Sequence, residues 1–448
     1  MERRKGQGVN VVIAEYIPSL NKGELLILEG MLTILNRIGE VNVYVFSPLP
    51  SIDTARYPPG VRAVDFYREI GVILGRKVSR LELIKTLSRY LFMLTSLIVH
   101  VRILKRMRDA RLRPWQRVLA SADLVIIGHD QVNLVFGFLV PFEPLLIAVA
   151  ARLLGKPVII FANGIYPDGE KSLVSKALSR VLLPFVLRCA NIVTVRDVET
   201  LTYFRRYRKD VWFTGDPAIL ARSTGKRGLS PNLPQIVKCE RSLLVGVALS
   251  RETLQSGCRS LNHSADRYAC MVQHMAKLLD WIVERFDAEV VFIPHCIEPY
   301  FSRDDRKVHL DIYRQMIHKD KAVLLLEEYS ISELKALLGK MDFLITSRVH
   351  AATNALAENV PVIGLTSKYD RRMLNLIGIN FALKEWVFYV EELTSDTLKE
   401  AVIKLLQSRE KIKQKLIYKK KLIESLSLIN TILVRDLLES YGFITPRR

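Results

Sequence analysis

The stretch that most constrains the fold of this chain runs from residue 342 to residue 365. An apolar run at 343–345 gives way to small hydroxyl residues and an Ala-rich helical pattern, and a second apolar run follows Pro361. Short apolar runs bounded by turn residues predict buried strands, and apolar spacing near 3.6 residues predicts a helix. The stretch therefore predicts a strand, a helix with Thr346 or Ser347 as its N-cap, and a second strand.

Arg348 and His350 stand at the junction of this predicted strand and helix, beside Ser347. Helix N–H groups, the helix dipole and a fixed positive charge converge at such a junction, so an anion can be held there. The alternative is an ordinary strand–helix–strand unit in which the arginine and histidine only cap and solvate the turn.

Alternation of strands and helices continues through both halves of the chain. Predicted strands before residue 222 cover 10–14, 41–46, 123–127, 156–161, 191–195 and 211–213, and those after residue 241 include 242–249, 289–294 and 322–326. Alternating strands and helices predict an α/β fold with parallel sheets. A Ser-, Gly- and Pro-containing segment at 222–241 predicts a linker. We therefore expect two Rossmann-like domains, at 1–221 and 242–448, that face each other across a cleft, with closing C-terminal helices.

Composition and charge limit the classes of partner. Apolar content of 49% and charged content of 25% indicate a globular protein. A net charge of +20 favours an anionic ligand, an anionic membrane or nucleic acid, unless it is only a solvated basic surface. Because no nucleic-acid-binding module is present and the basic residues do not alternate with aromatic ones, we expect no nucleic-acid partner.

The five cysteines are odd in number and lack C-x-x-C spacing. This pattern predicts a reduced, cytoplasmic protein with neither a disulfide framework nor a zinc knuckle. His295 and Cys296 lack a second ligand pair at suitable spacing, so no metal site is expected.

Residues 81–113 are unusual. The uncharged run at 90–101 is shorter than the roughly 20 residues that span a bilayer, and a series of basic residues follows it. A helix buried on the N-terminal domain is the favoured interpretation, and a basic amphipathic helix lying on a membrane surface is the alternative.

Further candidate site residues follow other predicted strands. Arg196, Arg251 and His295 each come directly after a strand, and ligands of open α/β sheets bind outside the carboxyl ends of the strands. His129 precedes Asp130, and an imidazole beside a carboxylate can accept a proton from a hydroxyl group near neutral pH. Each has a local alternative: Asp197 next to Arg196 can cap a helix, and Arg251 can pair with Glu252 at the surface.

Residues 342–365 resemble the C-terminal signature of the polysaccharide pyruvyl transferase family, with its Ser/Thr-x-Arg-x-His turn, Ala-rich helix and Val-Pro-Val-Ile-Gly strand. Near the N-terminus, Asn21 and Gly23 resemble the family's Asn-x-Gly-Asp loop, with Glu24 in place of the aspartate. Asn21 and Gly23 are therefore further candidates for ligand contact, and turn and cap roles are their alternative.

Other positions resemble the family less completely. The Arg196-Asp197 step is similar to one that follows a central strand in the family. Of the glycine-rich run that family members carry after the strand at 123–127, only Gly128 is present, beside His129.

The resemblance implies a glycosyltransferase-B-like arrangement, with an acceptor-side N-terminal domain and a donor-side C-terminal domain. It implies transfer of a pyruvyl group from phosphoenolpyruvate to the hydroxyl groups of a sugar, without a metal or a separate cofactor. Arg348 would hold the donor's phosphate or carboxylate, His350 would act as an acid/base or phosphate ligand, and Arg196 and Arg251 would be supporting cations. His129, paired with Asp130, is the candidate general base from the residues themselves, and the alternative is that these adjacent side chains point apart.

The acceptor would be a polysaccharide or a lipid-linked glycan, and the latter fits a cytoplasmic enzyme that touches the inner face of the membrane through 81–113. Two other classes stay open: a nucleotide-sugar glycosyltransferase or epimerase on the same fold, and a non-catalytic member that binds anionic glycans or membranes. The oligomeric state, including a homo-oligomer, stays open as well.

Overall fold

The computed structural model describes residues 8–67, 80–99, 112–128, 142–165, 173–221, 242–261, 263–299 and 303–445 of the chain. The predicted linker at 222–241 and His129 lie outside these residues. The described α-helices are α1 (Lys22–Leu35), α2 (Pro50–Thr54), α3 (Arg80–Ile98), α4 (Pro114–Ser121), α5 (Phe142–Leu153), α6 (Leu173–Cys189), α7 (Val198–Phe204), α8 (Arg251–Leu254), α9 (Ser264–Phe286), α10 (Asp305–Gln315), α11 (Ile331–Leu338), α12 (Val349–Ala357) and α13 (Ser395–Ser440). Short 3₁₀ turns and a π-helical segment at Met373–Asn380 complete the helical structure of this part of the chain.

The strands are β1 (Val9–Ile13), β2 (Val41–Ser47), β3 (Val61–Asp65), β4 (Leu124–Ile127), β5 (Val158–Asn163), β6 (Ile192–Val195), β7 (Val211–Phe213), β8 (Leu243–Ala248), β9 (Ala288–Phe292), β10 (Ile297–Glu298), β11 (Arg303–Asp304), β12 (Ala322–Leu324), β13 (Phe343–Thr346), β14 (Val362–Thr366) and β15 (Val387–Tyr389). They form a seven-stranded sheet, a six-stranded sheet and the antiparallel pair β10–β11.

The first sheet is parallel and has the order β3-β2-β1-β4-β5-β6-β7. Val11, Val12 and Ile13 on β1 and all four residues of β4 are fully buried. Strands that are apolar on both faces are covered by helices on both sides, which explains why the sequence shows continuous apolar runs in place of alternation. The predicted parallel α/β organisation is confirmed for this half of the chain.

The second sheet repeats the same winding. Its order is β12-β9-β8-β13-β14-β15, again with parallel neighbours. Both sheets begin at a central strand, add two strands on one side, and then continue on the other side. This is the doubly wound Rossmann order, in which the direction of winding reverses next to the first strand.

The chain forms two compact units that are not contiguous in sequence. The first contains Met1–Ser19, Met31–Pro217 and Ser425–Arg448, and the second contains Leu20–Gly30 and Ala218–Glu424. The predicted division into 1–221 and 242–448 placed the start of α1 with the first sheet and the end of α13 with the second. In the structure the start of α1 belongs to the second unit, and the end of α13 belongs to the first.

Helix α3 buries one apolar face. Met93, Leu94 and Leu97 are buried in the core of the first unit, whereas Leu91 and Phe92 are 44% and 75% exposed. Residues 100–111 of the segment predicted at 81–113 lie outside the described residues. For the described helix, the favoured interpretation, burial, holds for one side only. Among the described residues, no helix combines the length and the apolar character that crossing a bilayer requires.

Candidate functional site

The candidate site of the second unit lies where the winding of its sheet reverses, between β8 and β13. Leu249, Ser250 and Arg251 follow β8, whereas Ser347, Arg348 and His350 follow the adjacent β13. The carboxyl ends of parallel strands share one edge of the sheet, and the reversal leaves a crevice there. The structure thus brings the predicted signature residues to the expected ligand-binding position of a doubly wound sheet.

Arg348 is fixed by a carboxylate that the sequence did not single out. Its Nη2 donates to Asp305 Oδ1 at 2.6 Å, and its Nε lies 3.1 Å and 3.3 Å from the two carboxylate oxygens. Glu252 Oε2 lies 3.6 Å from Nη2. Burial disfavours the charge of the guanidinium, but these carboxylates raise the pKa of Arg348 above its ordinary value.

Asp305 also holds the backbone of the neighbouring strand end. Its Oδ2 accepts from His295 N at 3.1 Å and from Cys296 N at 2.9 Å, and its side chain is fully buried. Burial raises the pKa of Asp305, whereas Arg348 and the two N–H groups act in the opposite direction. Because all of these donors need an acceptor, we assign the ionised form. One carboxylate therefore fixes Arg348 against the turn that carries His295.

The N-cap of α12 is Arg348, so the prediction of Thr346 or Ser347 as N-cap is wrong. Thr346 Oγ1 accepts from Arg348 N at 3.0 Å and donates to Ala248 O at 2.7 Å, which joins β13 to β8 in place of capping the helix. Arg348 has extended backbone angles and makes no side-chain cap hydrogen bond. The positive end of α12 is thus not neutralised by its own cap residue.

The loop that contains Asn21 and Gly23 contacts His350. A Cβ added at Gly23 would lie 2.9 Å from Cβ and 3.0 Å from Nδ1 of His350. Asn21 Oδ1 accepts from Gly23 N at 3.1 Å, which shapes the turn at the start of α1. Lys22 N donates to His295 O at 2.7 Å, so the same loop is also joined to the end of β9. Glycine at position 23 permits an approach that any side chain would obstruct.

Two buried histidines lie behind this surface, and both are neutral at pH 7. Burial, together with the positive charge of Arg348, lowers the pKa of His295 to about 4. Burial also lowers the pKa of His309 to about 3. His295 Nδ1 lies 3.3 Å from Ile293 O, which can only accept, so this nitrogen carries the proton. Its Nε2 is then an acceptor that has no partner among the described residues.

The other predicted residues of the second unit have structural partners. Ser347 Oγ accepts from Ser250 N at 2.8 Å and so joins the two central strand ends. The guanidinium of Arg251 lies 4.3 Å from the ring centroid of Tyr268, so its contact is with an aromatic face and not with Glu252. The alternative interpretation of Arg251, a surface salt bridge to Glu252, therefore differs from the observed stacking on Tyr268.

Arg196 belongs to the first unit and is fully buried, which differs from its predicted place as a supporting cation at an open strand end. Its Nη1 lies 3.4 Å from Asp216 Oδ2. A guanidinium without solvent exposure serves internal pairing in this structure. Asp197 accepts from Thr200 N at 2.8 Å as the N-cap of α7, so the capping interpretation of Asp197 is confirmed.

The corresponding reversal point of the first sheet lies between β1 and β4. Glu15 follows β1 and Gly128 follows β4, and a Cβ added at Gly128 would overlap the Glu15 carboxylate, at 1.5 Å from Oε1. Asn163 Nδ2 donates to Gly128 O at 2.9 Å. The predicted base His129 lies immediately beyond, outside the described residues.

Sequence reasoning therefore missed two carboxylates. Glu15 is a buried acid directly after a buried strand, a position that could have been noticed. Asp305 carries no such signal, because an acidic residue at the start of a helix is commonplace.

The prediction of wholly reduced cysteines is wrong, because Cys258 and Cys270 form a disulfide. Of the other cysteines in the described residues, Cys296 is buried and Cys189 is partly buried. Burial raises the pKa of Cys296, which disfavours its thiolate.

Comparison with known proteins supports both the family and the fold. Residues 21–369, most of the chain, match the sequence model of a family described as polysaccharide pyruvyl transferase. The match contains Asn21, Gly23, Arg348 and His350. No curated protein matches the chain in sequence.

Similar solved structures are nucleotide-sugar enzymes. A putative UDP-N-acetylglucosamine 2-epimerase from Listeria monocytogenes has 13% identity and a TM-score of 0.57, with 98% of this chain and 99% of that chain covered. An α,α-trehalose-phosphate synthase (UDP-forming) from Burkholderia vietnamiensis has 12% identity and a TM-score of 0.55, with 98% and 99% covered. The MnaA–UDP complex from S. aureus has 13% identity and a TM-score of 0.54, with 99% of each chain covered. At these identities the likeness establishes the fold, two parallel-sheet α/β domains of the glycosyltransferase-B type.

Proposed function

We propose that this protein, which belongs to the polysaccharide pyruvyl transferase family, transfers a pyruvyl group from phosphoenolpyruvate to two hydroxyl groups of a sugar. The observation that carries the proposal is the convergence of the family's two signature segments in the second unit. Gly23 lies against His350, and Arg348 is the N-cap of the helix on which His350 lies.

Charge and geometry make this site suitable for a small dianion. Asp305 engages Nε and Nη2 of Arg348, whereas Nη1 has no hydrogen-bond partner among the described residues. Nη1 and the N-terminus of α12 offer donors to the phosphate or the carboxylate of phosphoenolpyruvate. Because Asp305 already holds the guanidinium, little side-chain freedom would be lost when the donor binds.

Ketal formation requires proton movements that the imidazoles can serve. Two sugar hydroxyls lose their protons, of which one is taken up by the CH₂ carbon of phosphoenolpyruvate and the other by the departing phosphate. Both hydroxyl oxygens bond to the former enol carbon, and the bond from that carbon to the phosphate oxygen breaks. The products are the ketal and inorganic phosphate. We assign His350 to acid/base work or to the leaving phosphate, since it lies in the first turn of α12.

His295 is assigned a different role in the same reaction. A pKa near 4 makes it a poor base at pH 7, but its Nε2 can accept a hydrogen bond from a hydroxyl or a protonated phosphate. Its fixed tautomer gives that contact a defined direction. Ser347 would then support the turn, and Arg251 would contribute positive potential from its position over Tyr268.

The acceptor is assigned to the first unit. Glu15 follows the central strand β1, at the position where doubly wound sheets bind ligands, and His129, which lies outside the described residues, comes directly after Gly128 in the sequence. A carboxylate or an imidazole there would remove the proton from the sugar hydroxyl. Arg196 is fully buried and is therefore assigned to internal pairing with Asp216, not to the acceptor.

An apolar surface on the first unit favours a lipid-linked acceptor. Helix α5 packs against α3 and α6, and all three helices carry exposed apolar side chains. The largest exposures are those of Phe92, Val181, Phe185, Leu153 and Leu91. Among the side chains of these helices that the structure describes, the exposed basic ones are Lys85, Arg89, Arg152, Arg180 and Arg188. Apolar side chains flanked by positive charge suit the surface of an anionic membrane.

The donor assignment is tested by calorimetry with phosphoenolpyruvate and by phosphate release in the presence of candidate glycans. Arg348→Ala should weaken donor binding by about 2–3 kcal/mol, roughly 30- to 150-fold, because a charge-assisted contact is lost. Arg409→Ala is the matched control: Arg409 makes an ion pair of the same 2.6 Å length with Asp342, at the amino end of β13. Donor binding by Arg348→Ala at the wild-type level would refute the assignment.

A nucleotide-sugar transferase or epimerase is the second candidate, because the similar structures of this fold include UDP-sugar enzymes. The same anion site would then bind a diphosphate. Titration with UDP-N-acetylglucosamine separates the two candidates: UDP-sugar binding that phosphoenolpyruvate does not displace would favour the second one.

A further inference from the structure

A cluster of two sulfurs and one imidazole lies outside the candidate site. Cys258 and Cys270 form the disulfide, and His274 Nδ1 lies 3.9 Å from Cys258 Sγ. All three ligand atoms lie within 4.8 Å of one another. Nothing in the proposed transfer reaction uses these residues.

Local structure holds the three side chains together. Cys270 and His274 are four residues apart on α9, so they share one face of that helix. Cys258 follows α8 and has a φ of 46°, an unusual value for a residue other than glycine. The preceding Gly257 is packed closely against α9, because an added Cβ would lie 2.4 Å from Met271 Sδ. The loop is therefore held in the conformation that directs Cys258 toward α9.

The separations suit a tetrahedral metal centre after reduction. With Zn–S distances of about 2.3 Å and Zn–N distances of about 2.0 Å, neighbouring ligands of zinc lie roughly 3.3–3.8 Å apart. The distance between Cys258 Sγ and His274 Nδ1, 3.9 Å, is already close to this range, whereas the two sulfurs need to separate. The cysteine Cα atoms are 6.5 Å apart, which leaves room for that movement by side-chain rotation. Two thiolates and an imidazole select zinc over magnesium or calcium.

We propose that the reduced protein binds one zinc ion through Cys258, Cys270 and His274, with water as the fourth ligand. An external thiol supplies the two electrons and two protons that convert the disulfide to two thiols, and zinc then displaces both thiol protons. The disulfide and the zinc site exclude each other, because both need the same sulfurs. The disulfide and the zinc ion would each link the loop after α8, through Cys258, to α9.

This tie bears on the candidate site. Helix α8 carries Arg251, which stacks on Tyr268 of α9, and Glu252, which contacts Arg348. Reduction without metal would remove the tie between α9 and the loop that directly follows these residues.

The experiment uses the full-length protein with and without a phosphine reductant, and cobalt(II) as the spectroscopic probe. Thiol titration of the denatured, unreduced chain should find three of the five cysteines. The reduced protein should bind one equivalent of cobalt, with the visible bands of a tetrahedral ion and a thiolate charge-transfer band, and zinc should bleach both. Five thiols before reduction, or no tetrahedral spectrum after it, would overturn the proposal.

Variants assign the ligands. Cys258→Ser, Cys270→Ser and His274→Ala should each weaken cobalt binding by at least about tenfold. The matched controls are Cys189→Ser and His318→Ala, which remove a thiol elsewhere and an exposed imidazole paired with Glu284 near the other end of α9. Circular dichroism establishes that each variant is folded. Cobalt affinity that is unchanged in both cysteine variants, or lost equally in the controls, would contradict the assignment.

Discussion

Replacement of Gly23 by alanine tests whether the loop before α1 positions His350. The added Cβ would lie 2.9 Å from His350 Cβ and 3.0 Å from its Nδ1. Carbon atoms in favourable contact are about 3.5–4.0 Å apart, so one of the two segments must move by roughly 0.6 Å or more. Because both segments are joined to the end of β9 or to the sheet, the imidazole has little room to retreat.

The expected effect is large on activity and small on stability. A displacement near 1 Å can lower turnover about 100-fold, so we expect phosphate release to fall roughly 10- to 100-fold. Alanine is favoured over glycine in a helix by up to about 1 kcal/mol, which offsets part of the steric strain. The free energy of unfolding should therefore change by less than about 1–2 kcal/mol.

Phosphate-release kinetics measure the turnover, titration with phosphoenolpyruvate measures the donor affinity, and urea denaturation measures the free energy of unfolding. Gly339→Ala is the matched control, because an added Cβ there meets no atom closer than 3.5 Å and the backbone is ordinary. A folded Gly23→Ala protein with wild-type turnover and donor affinity would show that the contact with His350 does not matter for the reaction.

Three further predictions concern stability and membrane contact. Asp305→Asn removes the counter-charge of a largely buried Arg348, so urea denaturation should show a loss of about 3–5 kcal/mol, and a loss below 1 kcal/mol would contradict the geometry. Burial of neutral His309 means that unfolding takes up a proton at acid pH. Stability should therefore fall by about 2 kcal/mol for this residue as the pH drops from 6.5 to 5. Burial raises the pKa of Glu29 to about 7, so this residue changes the stability in the opposite direction over the same pH range. Wild type is therefore compared with His309→Gln, in which the stability should depend less steeply on pH. Phe92→Ser should reduce flotation with anionic vesicles at low salt relative to Ile317→Ser, an exposed apolar control on the second unit; equal flotation would end the membrane assignment.

Local patterns were sufficient for most of the elements and for the parallel α/β class, although β3, β10, β11 and β15 were not predicted. Strand and helix periodicities are properties of neighbouring residues, so the alternation could be predicted without tertiary information. The cap formed by Asp197 was predictable for the same reason, since its partner Thr200 is three residues away. The signature residues could be placed at a strand end because the carboxyl ends of parallel strands share one edge.

Long-range partners were not predictable. Arg348 and Asp305 are 43 residues apart, and nothing in either local pattern shows that one binds the other. Burial of Arg196 depends on how Asp216 and the surrounding helices cover its strand end. The disulfide was missed because pairing of Cys258 with Cys270 depends on the separation of their Cα atoms, which spacing in the sequence does not give.

The discontinuous first unit has a consequence for how the protein is made. Ser427 Oγ donates to Asp216 O at 3.1 Å, and Asn191 Nδ2 donates to Tyr441 Oη at 3.0 Å, so the last part of α13 and the residue after it are bound to segments made much earlier. A ribosome must therefore synthesise the chain as far as Tyr441 before these contacts of the first unit can form. Until then, the first sheet must persist as a partly covered intermediate, whereas every segment of the second unit has already been synthesised. During translation the first unit, whose N-terminal segment is synthesised first, should therefore be the last to finish folding.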